Sequence, residues 1–242
     1  MEPNVAIKVD SLSKKYGQVE AVKTVSFTAS CGDVVGVLGP NGAGKSTTMR
    51  MVSGILAPTA GAITIAGIDL LEYPKQARAK IGYLPEHPPI YRDHTVKEYL
   101  TFCARLRKLS KPSMAVAIEH VLNRCRLESV TNRLIGNLSK GYQQRVGLAQ
   151  AIIHAPEVLI LDEPTVGLDP GQILEVRELI TELGKNCCVV LSTHILAEVA
   201  AVSNRVVMLN EGVTVFSGGM ADFTGEHIHA WRFKLANPPK LE

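Results

Sequence analysis

The stretch GPNGAGKST, residues 39 to 47, has the residue types and the spacing of a phosphate-binding loop. It matches the pattern G-x-x-x-x-G-K-S/T between an apolar strand-like run and a helical pattern. Its glycines allow the backbone to wrap closely around phosphates with the amides pointing inward. Lys45 would face the β- and γ-phosphates, and Ser46 would offer a hydroxyl to Mg²⁺. The predicted binding residues are Gly39, Pro40, Asn41, Gly42, Ala43, Gly44, Lys45, Ser46 and Thr47.

Two acidic residues follow the apolar run VLIL at residues 158 to 161. Asp162 would end a strand, where a carboxylate can face the phosphates and hold Mg²⁺ through water. Glu163 comes next and could orient and deprotonate an attacking water. An isolated Asp-Glu pair is more often part of a solvated loop, but the strand before it and the phosphate loop favour the catalytic interpretation.

A histidine stands after another strand-like run, in the sequence LSTHI. A lone histidine is usually a surface or core residue. At the carboxyl end of a strand in a parallel sheet, however, His194 would lie where ligands bind. We therefore predict that it contacts the γ-phosphate.

A second helix start lies at LSKGYQQR, residues 138 to 145, which we call the signature segment. Ser139 and Gly141 expose backbone amides there, and helix starts of this kind attract anions. The chain therefore has two helix starts suited to phosphate, far apart in its sequence.

Strands that alternate with helices would position these residues. Strand-like runs include VVGVLG, EVLILDEP and CCVVLSTH, and helical patterns are expected from Lys45 to near Gly54 and from Gly171 to Lys185. RVVMLNEG and VTVFSG would close the sheet. This alternation predicts a largely parallel sheet.

In residues 93 to 153 the apolar residues recur at helical rather than strand-like spacing, and this region is predicted to form a mostly helical insert. Thr95 and Glu98 form a capping box, T-x-x-E, ahead of apolar residues at helical spacing. A second helix is expected from Ser113 to Arg126. Basic residues in this insert are interpreted as a solvated helix end rather than a binding patch.

Composition excludes several classes of protein. With 46% hydrophobic and 20% charged residues among 242, the chain should bury a core, and its net charge of +3 does not indicate nucleic acid as a partner. The beginning of the sequence lacks the apolar run of a secretion signal, and no stretch is long enough to span a bilayer. Five cysteines without a CxxC pair indicate reduced thiols, and Cys187 and Cys188 are expected in the core.

Taken together, these motifs resemble the ATP-binding subunit of ABC transporters, from about residue 5 to 218. GPNGAGKST, LSKGYQQR, LILDEP, GLD and STH occur in that family's order. The resemblance implies an α/β fold of the P-loop NTPase class and ABC type, with a mainly parallel sheet core, an N-terminal antiparallel β subdomain and a helical insert. It implies an ABC ATPase domain over residues 1–225, a helical subdomain at about 90–155, and a short appendage at 226–242.

The resemblance also answers why two helix starts are present. In this family the signature segment faces the γ-phosphate of ATP held by a second copy, so two chains meet head to tail, here expected as a homodimer. Ser139, the Gly141 amide and Gln143 would make these contacts, although Ser139 also suits the N-cap of its own helix. Lys140 and Tyr142 depart from the commonest form of the signature.

Three further residues match family positions. Tyr16 would stack on adenine, although an exposed tyrosine near a turn is the alternative. Asp169 falls in the loop that runs along the dimer interface, and it also suits an N-cap followed by proline. Glu86, in IGYLPE, stands where the family usually has Gln near Mg²⁺ and the attacking water; a carboxylate can ligate Mg²⁺ too.

The predicted function is therefore an ATPase that drives a separate integral membrane permease and lies on the cytoplasmic face of the membrane through it. IGYLPE with LSKGYQQR resembles the subunits of ABC-2-type exporters, including the gliding-motility branch. Two alternatives remain: a soluble ABC ATPase of the cluster-assembly type, and a non-catalytic, nucleotide-sensing subunit.

Overall fold

The computed structural model describes residues 5 to 224; the predicted appendage at 226–242 lies outside them. Within this range ten strands form one mixed sheet in the order β5-β4-β1-β2-β10-β9-β3-β8-β7-β6. The strands are β1 (Val5–Tyr16), β2 (Val19–Ser30), β3 (Val34–Leu38), β4 (Ala60–Ile65), β5 (Ile68–Asp69), β6 (Ile81–Leu84), β7 (Val158–Asp162), β8 (Cys188–Thr193), β9 (Arg205–Asn210) and β10 (Val213–Gly219).

Five adjacent strands, β9, β3, β8, β7 and β6, run parallel, as the alternation of strands and helices predicted. Every residue of β3, β7 and β8 is buried, which is why these strands are continuous apolar runs in the sequence. Apolar clusters cover both faces of this sheet. Cys187 and Cys188 are buried there, which confirms that they belong to the core.

The amino-terminal strands form an antiparallel unit, with β1 between β2 and β4 and with β5 beyond β4. This unit joins the parallel core where β10 pairs with β2 at Val213 and Thr24. The mainly parallel core and the N-terminal antiparallel part are thus both confirmed.

The α-helices within the described residues are α1 (Lys45–Val52), α2 (Pro74–Ala79), α3 (Val96–Leu106), α4 (Lys111–Arg124), α5 (Lys140–Ile152), α6 (Pro170–Gly184), α7 (Leu196–Val202) and α8 (Met220–Thr224). The predicted capping box is present, because Thr95 Oγ1 accepts from the Glu98 amide and Glu98 Oε2 accepts from the Thr95 amide. Helix α4 was predicted at roughly Ser113 to Arg126 and lies two residues earlier at both ends, at Lys111–Arg124. Ser110 caps this helix, and Pro112 fits in the first turn, where its missing N–H costs no intrahelical hydrogen bond.

Three short helices, α2, α7 and α8, were not predicted, because a helix of five to seven residues offers too little periodicity to detect. Among residues 5 to 224, no helix combines the length and the apolar character required to cross a bilayer.

Candidate functional site

The phosphate loop begins where the fully buried strand β3 ends. A side chain at Gly39 would place a Cβ 2.4 Å from the Leu209 carbonyl oxygen. Gly44 has a φ of 97°, and a Cβ there would lie 2.7 Å from the Ala21 carbonyl oxygen. Both positions therefore require glycine, for close approach and for backbone conformation.

No side chain caps the start of helix α1. Its N-cap is Gly44, no side chain accepts a hydrogen bond from its first amides, and its first turn contains no acidic residue. The first amides of any α-helix lack intrahelical acceptors, and the helix dipole adds positive potential at this end. This helix start can therefore receive an external anion.

Lys45 places a buried ammonium group beneath the loop, with the residue only 6% exposed. Its Nζ donates to the carbonyl oxygens of Gly39 at 2.9 Å and Pro40 at 3.2 Å. Glu163 Oε1 lies 3.8 Å away. A buried charge needs such partners, and phosphate oxygens would be stronger acceptors for it than carbonyls.

Asp162 ends β7 and meets two hydroxyl groups. Its Oδ1 accepts from Ser46 Oγ at 3.2 Å and from Ser192 Oγ at 2.5 Å. Burial raises the pKa of the Asp162 carboxyl, the two hydroxyl hydrogen bonds oppose that shift, and the charge of Glu86 adds to it. Ser192 was not predicted as a site residue, although it belongs to the STH motif.

Glu163 adopts a left-handed backbone conformation, with a φ of 49°. This costs about 1–2 kcal/mol for a residue with a side chain. The Glu163 amide offsets part of that cost by donating to the hydroxyl and the carbonyl oxygen of Ser192, each at 3.1 Å. The turn brings Glu163 toward Lys45 while Asp162 contacts Ser46, so two consecutive residues serve one site.

His194 follows β8 and contacts the same carboxylate. Its Nδ1 lies 3.2 Å from Glu163 Oε1 and 3.1 Å from Oε2. The imidazole and the carboxylate thus form a pair at the carboxyl ends of two adjacent parallel strands, where sequence reasoning placed both residues.

A polar cleft of about 430 Å³ lies in front of α1 and is lined by Lys45, Glu163 and His194, while Asp162 meets it through its hydrogen bond to the lining residue Ser46. Glu86 also lies on its wall, as an exposed carboxylate. The cleft is lined by Ala21, Asn41, Gly42, Gly44, Lys45, Ser46, Thr47, Glu86, Glu163, Val166 and His194.

The residues of the signature segment are absent from that lining. Ser139 is the N-cap of α5, and its Oγ accepts from the Tyr142 amide at 3.4 Å. Gly141 is buried against Gln172 of α6, where an added Cβ would lie 2.3 Å from the side-chain amide. Gln143 donates through Nε2 to two carbonyl oxygens of its own chain, at 3.0 and 3.1 Å, so this amide is engaged locally.

Tyr16 and Asp169 also lie outside the cleft lining, as do Asp162 and three residues of the phosphate loop, Gly39, Pro40 and Ala43. Tyr16 is 45% exposed at the end of β1, and Lys14 Nζ lies 5.4 Å from the centre of its ring. Asp169 caps α6, where its Oδ1 accepts from the Gln172 amide at 2.9 Å.

The residues of the cleft fit a nucleotide with Mg²⁺. An uncapped helix start and a buried lysine suit phosphate, and the Ser46 hydroxyl, the Asp162 carboxylate and the Glu86 carboxylate are the oxygen ligands that Mg²⁺ prefers. Among the described residues, no group of three or more histidine, cysteine, aspartate or glutamate side chains is placed to hold a metal ion by itself, so Mg²⁺ would also need the Ser46 hydroxyl and phosphate or water oxygens.

A family model described as ABC transporter matches residues 22 to 166. The chain is 41% identical to the uncharacterized ABC transporter ATP-binding protein YxlF of Bacillus subtilis, over 98% of this chain and 78% of the relative. It is 40% identical to the bacitracin transport ATP-binding protein BcrA of Bacillus licheniformis, over 85% and 67%. It is 37% identical to the Nod factor export ATP-binding protein I of Rhizobium meliloti, over 90% and 65%.

Two solved structures share this fold. CbiO1 from Clostridium perfringens, part of the CbiONQ transporter complex, superposes with a TM-score of 0.83 at 28% identity, over 92% of each chain. The ATP-binding cassette MJ0796, a dimer in a post-hydrolysis state with ADP and Pi, superposes with a TM-score of 0.79 at 25% identity, over 88% of this chain and 98% of that one.

Proposed function

The chain belongs to the ABC transporter family as an ATP-binding subunit, and from this premise we propose that it hydrolyses ATP to drive a separate integral membrane permease of the ABC-2 exporter type. One observation carries the proposal of hydrolysis. The Glu163 carboxylate lies within hydrogen-bond distance of His194 and 3.8 Å from the lysine of the phosphate loop, on the wall of one polar cleft.

The roles within the cleft follow from its chemistry. The phosphate loop binds the triphosphate, with Lys45 against the β- and γ-phosphates. Ser46, Asp162 and Glu86 would hold Mg²⁺, which when bound neutralises phosphate charge. Glu163 takes a proton from the attacking water, and His194 contacts the γ-phosphate while its hydrogen bond orients Glu163.

The second nucleotide contact comes from a second copy of this chain. Ser139, Gly141 and Gln143 lie outside the cleft lining, and MJ0796 is a dimeric cassette. Two copies arranged head to tail would place each signature segment over the nucleotide of the other. Asp169 would then lie at the interface, and Tyr16 would stack on adenine.

Transport and location rest on the relatives and on the sequence. BcrA is a bacitracin transport protein and the rhizobial relative a Nod factor export protein, which supports an exporter. The ATPase domain would span residues 1–225. Its helical subdomain at about 90–155, with the loop after Glu86, would dock on the permease and hold the chain at the cytoplasmic face of the membrane.

Replacement of Glu163 by Gln tests the catalytic proposal. The variant keeps the size and the hydrogen-bonding capacity of the side chain but removes its basicity, so ATP turnover should fall about 1,000-fold. ATP affinity should persist, and ATP should drive dimer formation detectable by light scattering. Unchanged turnover would refute the role of Glu163. Glu119→Gln, an exposed change on α4, is the matched control and should behave as wild type.

The transport proposal has a separate test. The chain, purified from detergent-solubilised membranes, should bring an integral membrane protein with it. Recovery with soluble partners alone would contradict the proposal and favour a soluble ABC ATPase.

A further inference from the structure

Glu198 is a buried carboxylate that the proposed chemistry does not use. It lies in the first turn of α7, four residues after His194, and is only 4% exposed. Burial of a carboxylate is unfavourable unless charge-assisted hydrogen bonds compensate for it. Its partners therefore indicate why this residue is acidic.

Each oxygen of Glu198 accepts one short hydrogen bond from a threonine. Thr165 Oγ1 donates to Oε1 at 2.6 Å, and Thr193 Oγ1 donates to Oε2 at 2.6 Å. Both distances are typical of a hydroxyl bound to an ionised carboxylate. Both threonines are buried, so this bridge is shielded from water.

The two threonines lie at the carboxyl ends of two different strands. Thr165 follows β7, two residues after Glu163, and Thr193 ends β8, directly before His194. The carboxylate thus fastens the loop that carries Glu163 to the loop that carries His194.

The bridge fixes the backbone on both sides of the histidine. Besides donating to Glu198, Thr193 Oγ1 accepts from the Ile195 amide at 3.1 Å. Both hydrogen-bonding roles of this hydroxyl are then used, and its proton must point to the carboxylate.

The loop after Glu163 is similarly held from two sides. Gln144 of α5 donates through Nε2 to the Pro164 carbonyl oxygen at 3.0 Å, and Glu198 holds the neighbouring Thr165. This matters because Glu163 has an unfavourable left-handed conformation, which persists only where its surroundings impose it.

Stabilisation of α7 alone does not account for this arrangement. A glutamate at this position of a helix usually reaches back to the amide of the N-cap residue and remains near solvent. Here the N-cap residue is Ile195, whose amide is bound by Thr193, while both oxygens of Glu198 point to threonine hydroxyls.

We propose that Glu198 is a positioning residue that, through Thr165 and Thr193, holds Glu163 and His194 in the relative orientation that hydrolysis requires. The inference rests on the proposed function, because it assigns a task in hydrolysis to a buried residue that does not line the cleft. It goes beyond that function by adding a connection beneath the two catalytic side chains.

Thr193→Val is the principal test, because it keeps the shape of the side chain and removes its hydroxyl. The kcat should fall about tenfold because the histidine is no longer fixed. The Kd for a fluorescent ATP analogue should stay within about twofold, because the phosphate loop is unchanged. Thr193→Ser restores the hydroxyl and should recover most of the lost kcat. Thr181→Val, which removes an exposed hydroxyl on α6, is the matched control.

A double-mutant cycle with His194→Ala separates positioning from general stability. If Thr193 acts through the histidine, adding Thr193→Val to His194→Ala should lower kcat by less than about twofold. A merely structural role would give the same tenfold loss in both backgrounds, and that result would overturn the proposal. Glu198→Gln and Thr165→Val give independent variants of the same bridge, and their ellipticity and melting temperature report whether they fold.

The failures of the two proposals are distinguishable. If Glu163→Gln and His194→Ala both retain wild-type turnover, the proposed function fails and this inference fails with it. If those variants lose turnover while folded Thr193→Val and Glu198→Gln stay within about twofold of wild type, only the positioning role is overturned.

Discussion

The two helix starts suited to phosphate, those of α1 and α5, are built in opposite ways. At α1 the cap is a glycine, no side chain binds the first amides, and a buried lysine lies beneath. At α5 the cap is Ser139, which already binds the Tyr142 amide, and Gly141 is packed against α6. The start of α1 can therefore bind an anion in the cleft of its own chain. At the start of α5, one of the first amides is already hydrogen-bonded to the Ser139 side chain.

The surroundings of the two helices differ in the same sense. Around α1, Lys45, Asp162, Glu163 and His194 converge on one cleft or lie directly against it. Polar contacts instead hold α5 against its neighbours: Gln144 binds the Pro164 carbonyl, Arg145 binds Glu175, and His154, two residues after the helix ends, binds the Ile81 carbonyl. One helix start thus meets a cleft equipped for chemistry in its own chain, whereas the other is held in place by contacts within its own chain; that it contacts a partner's nucleotide stays a proposal.

Mixing two inactive variants is the strongest test of the different roles proposed for the starts of α1 and α5. Lys45→Ala removes the charge of the phosphate loop, and Ser139→Asp keeps a good helix cap while placing a negative charge where a phosphate would approach. Each variant alone should lose turnover by about 100-fold or more. In a head-to-tail dimer, an equal mixture should recover up to about a quarter of wild-type turnover, because half of the dimers then contain one intact site.

Ser139→Asn, a neutral residue that also caps helices well, is the control for the charge and should lose much less turnover than Ser139→Asp. Turnover of the mixture should also rise with protein concentration. If the mixture is no more active than the average of its two components, the start of α1 in one copy does not meet the start of α5 in the other.

Local patterns made much of the site predictable. The phosphate loop, the capping box at Thr95 and the acidic pair at the end of β7 each depend on residues close in sequence, and their elements were found where expected. The apolar runs of β3, β7 and β8 were equally informative, because a strand covered on both faces needs no polar positions.

What could not be predicted depends on long-range contacts. No local rule brings Glu198 to Thr165, or pairs Val213 of β10 with Thr24 of β2. The side-chain amide of Gln143 illustrates a related limit: the family pattern predicts a nucleotide contact, but the hydrogen bonds that this amide makes within its own chain follow from the fold. That contact, like the adenine role of Tyr16, stays a prediction.

Acid should destabilise the fold through His154, which lies two residues beyond the end of α5. Burial lowers the pKa of His154 to about 4, and the charge of Arg107 acts in the same direction. Its Nε2 lies 3.1 Å from the Ile81 carbonyl oxygen, and its buried Nδ1 has no hydrogen-bond partner among the described residues. The folded protein therefore holds this histidine neutral.

The unfolded chain binds a proton at His154 near pH 6.5, whereas the folded chain does so only near pH 4. The stabilisation is therefore complete above pH 6.5 and is lost as the pH falls toward 4, by at most about 3 kcal/mol. Urea unfolding at several pH values should show a steeper loss for wild type than for His154→Gln. His120→Gln, at an exposed position, should keep the wild-type slope, and equal slopes for wild type and His154→Gln would refute the prediction.

The smallest effect is expected from the exposed ion pairs that flank α5. Arg126 contacts Glu175 at 3.1 Å and Glu178 at 3.0 Å, but its side chain is 58% exposed, whereas that of Arg145, which also binds Glu175, is only 12% exposed. Because solvent screens exposed pairs, Arg126→Met should lower the free energy of unfolding by less than about 1 kcal/mol, and by less still at high salt. Arg145→Met should cost more, because it leaves a partly buried carboxylate without its most shielded partner. Arg126→Met could instead lower turnover without changing stability. The exposed ion pairs would then help to position α5, and the interpretation that buried contacts fix this helix would be wrong.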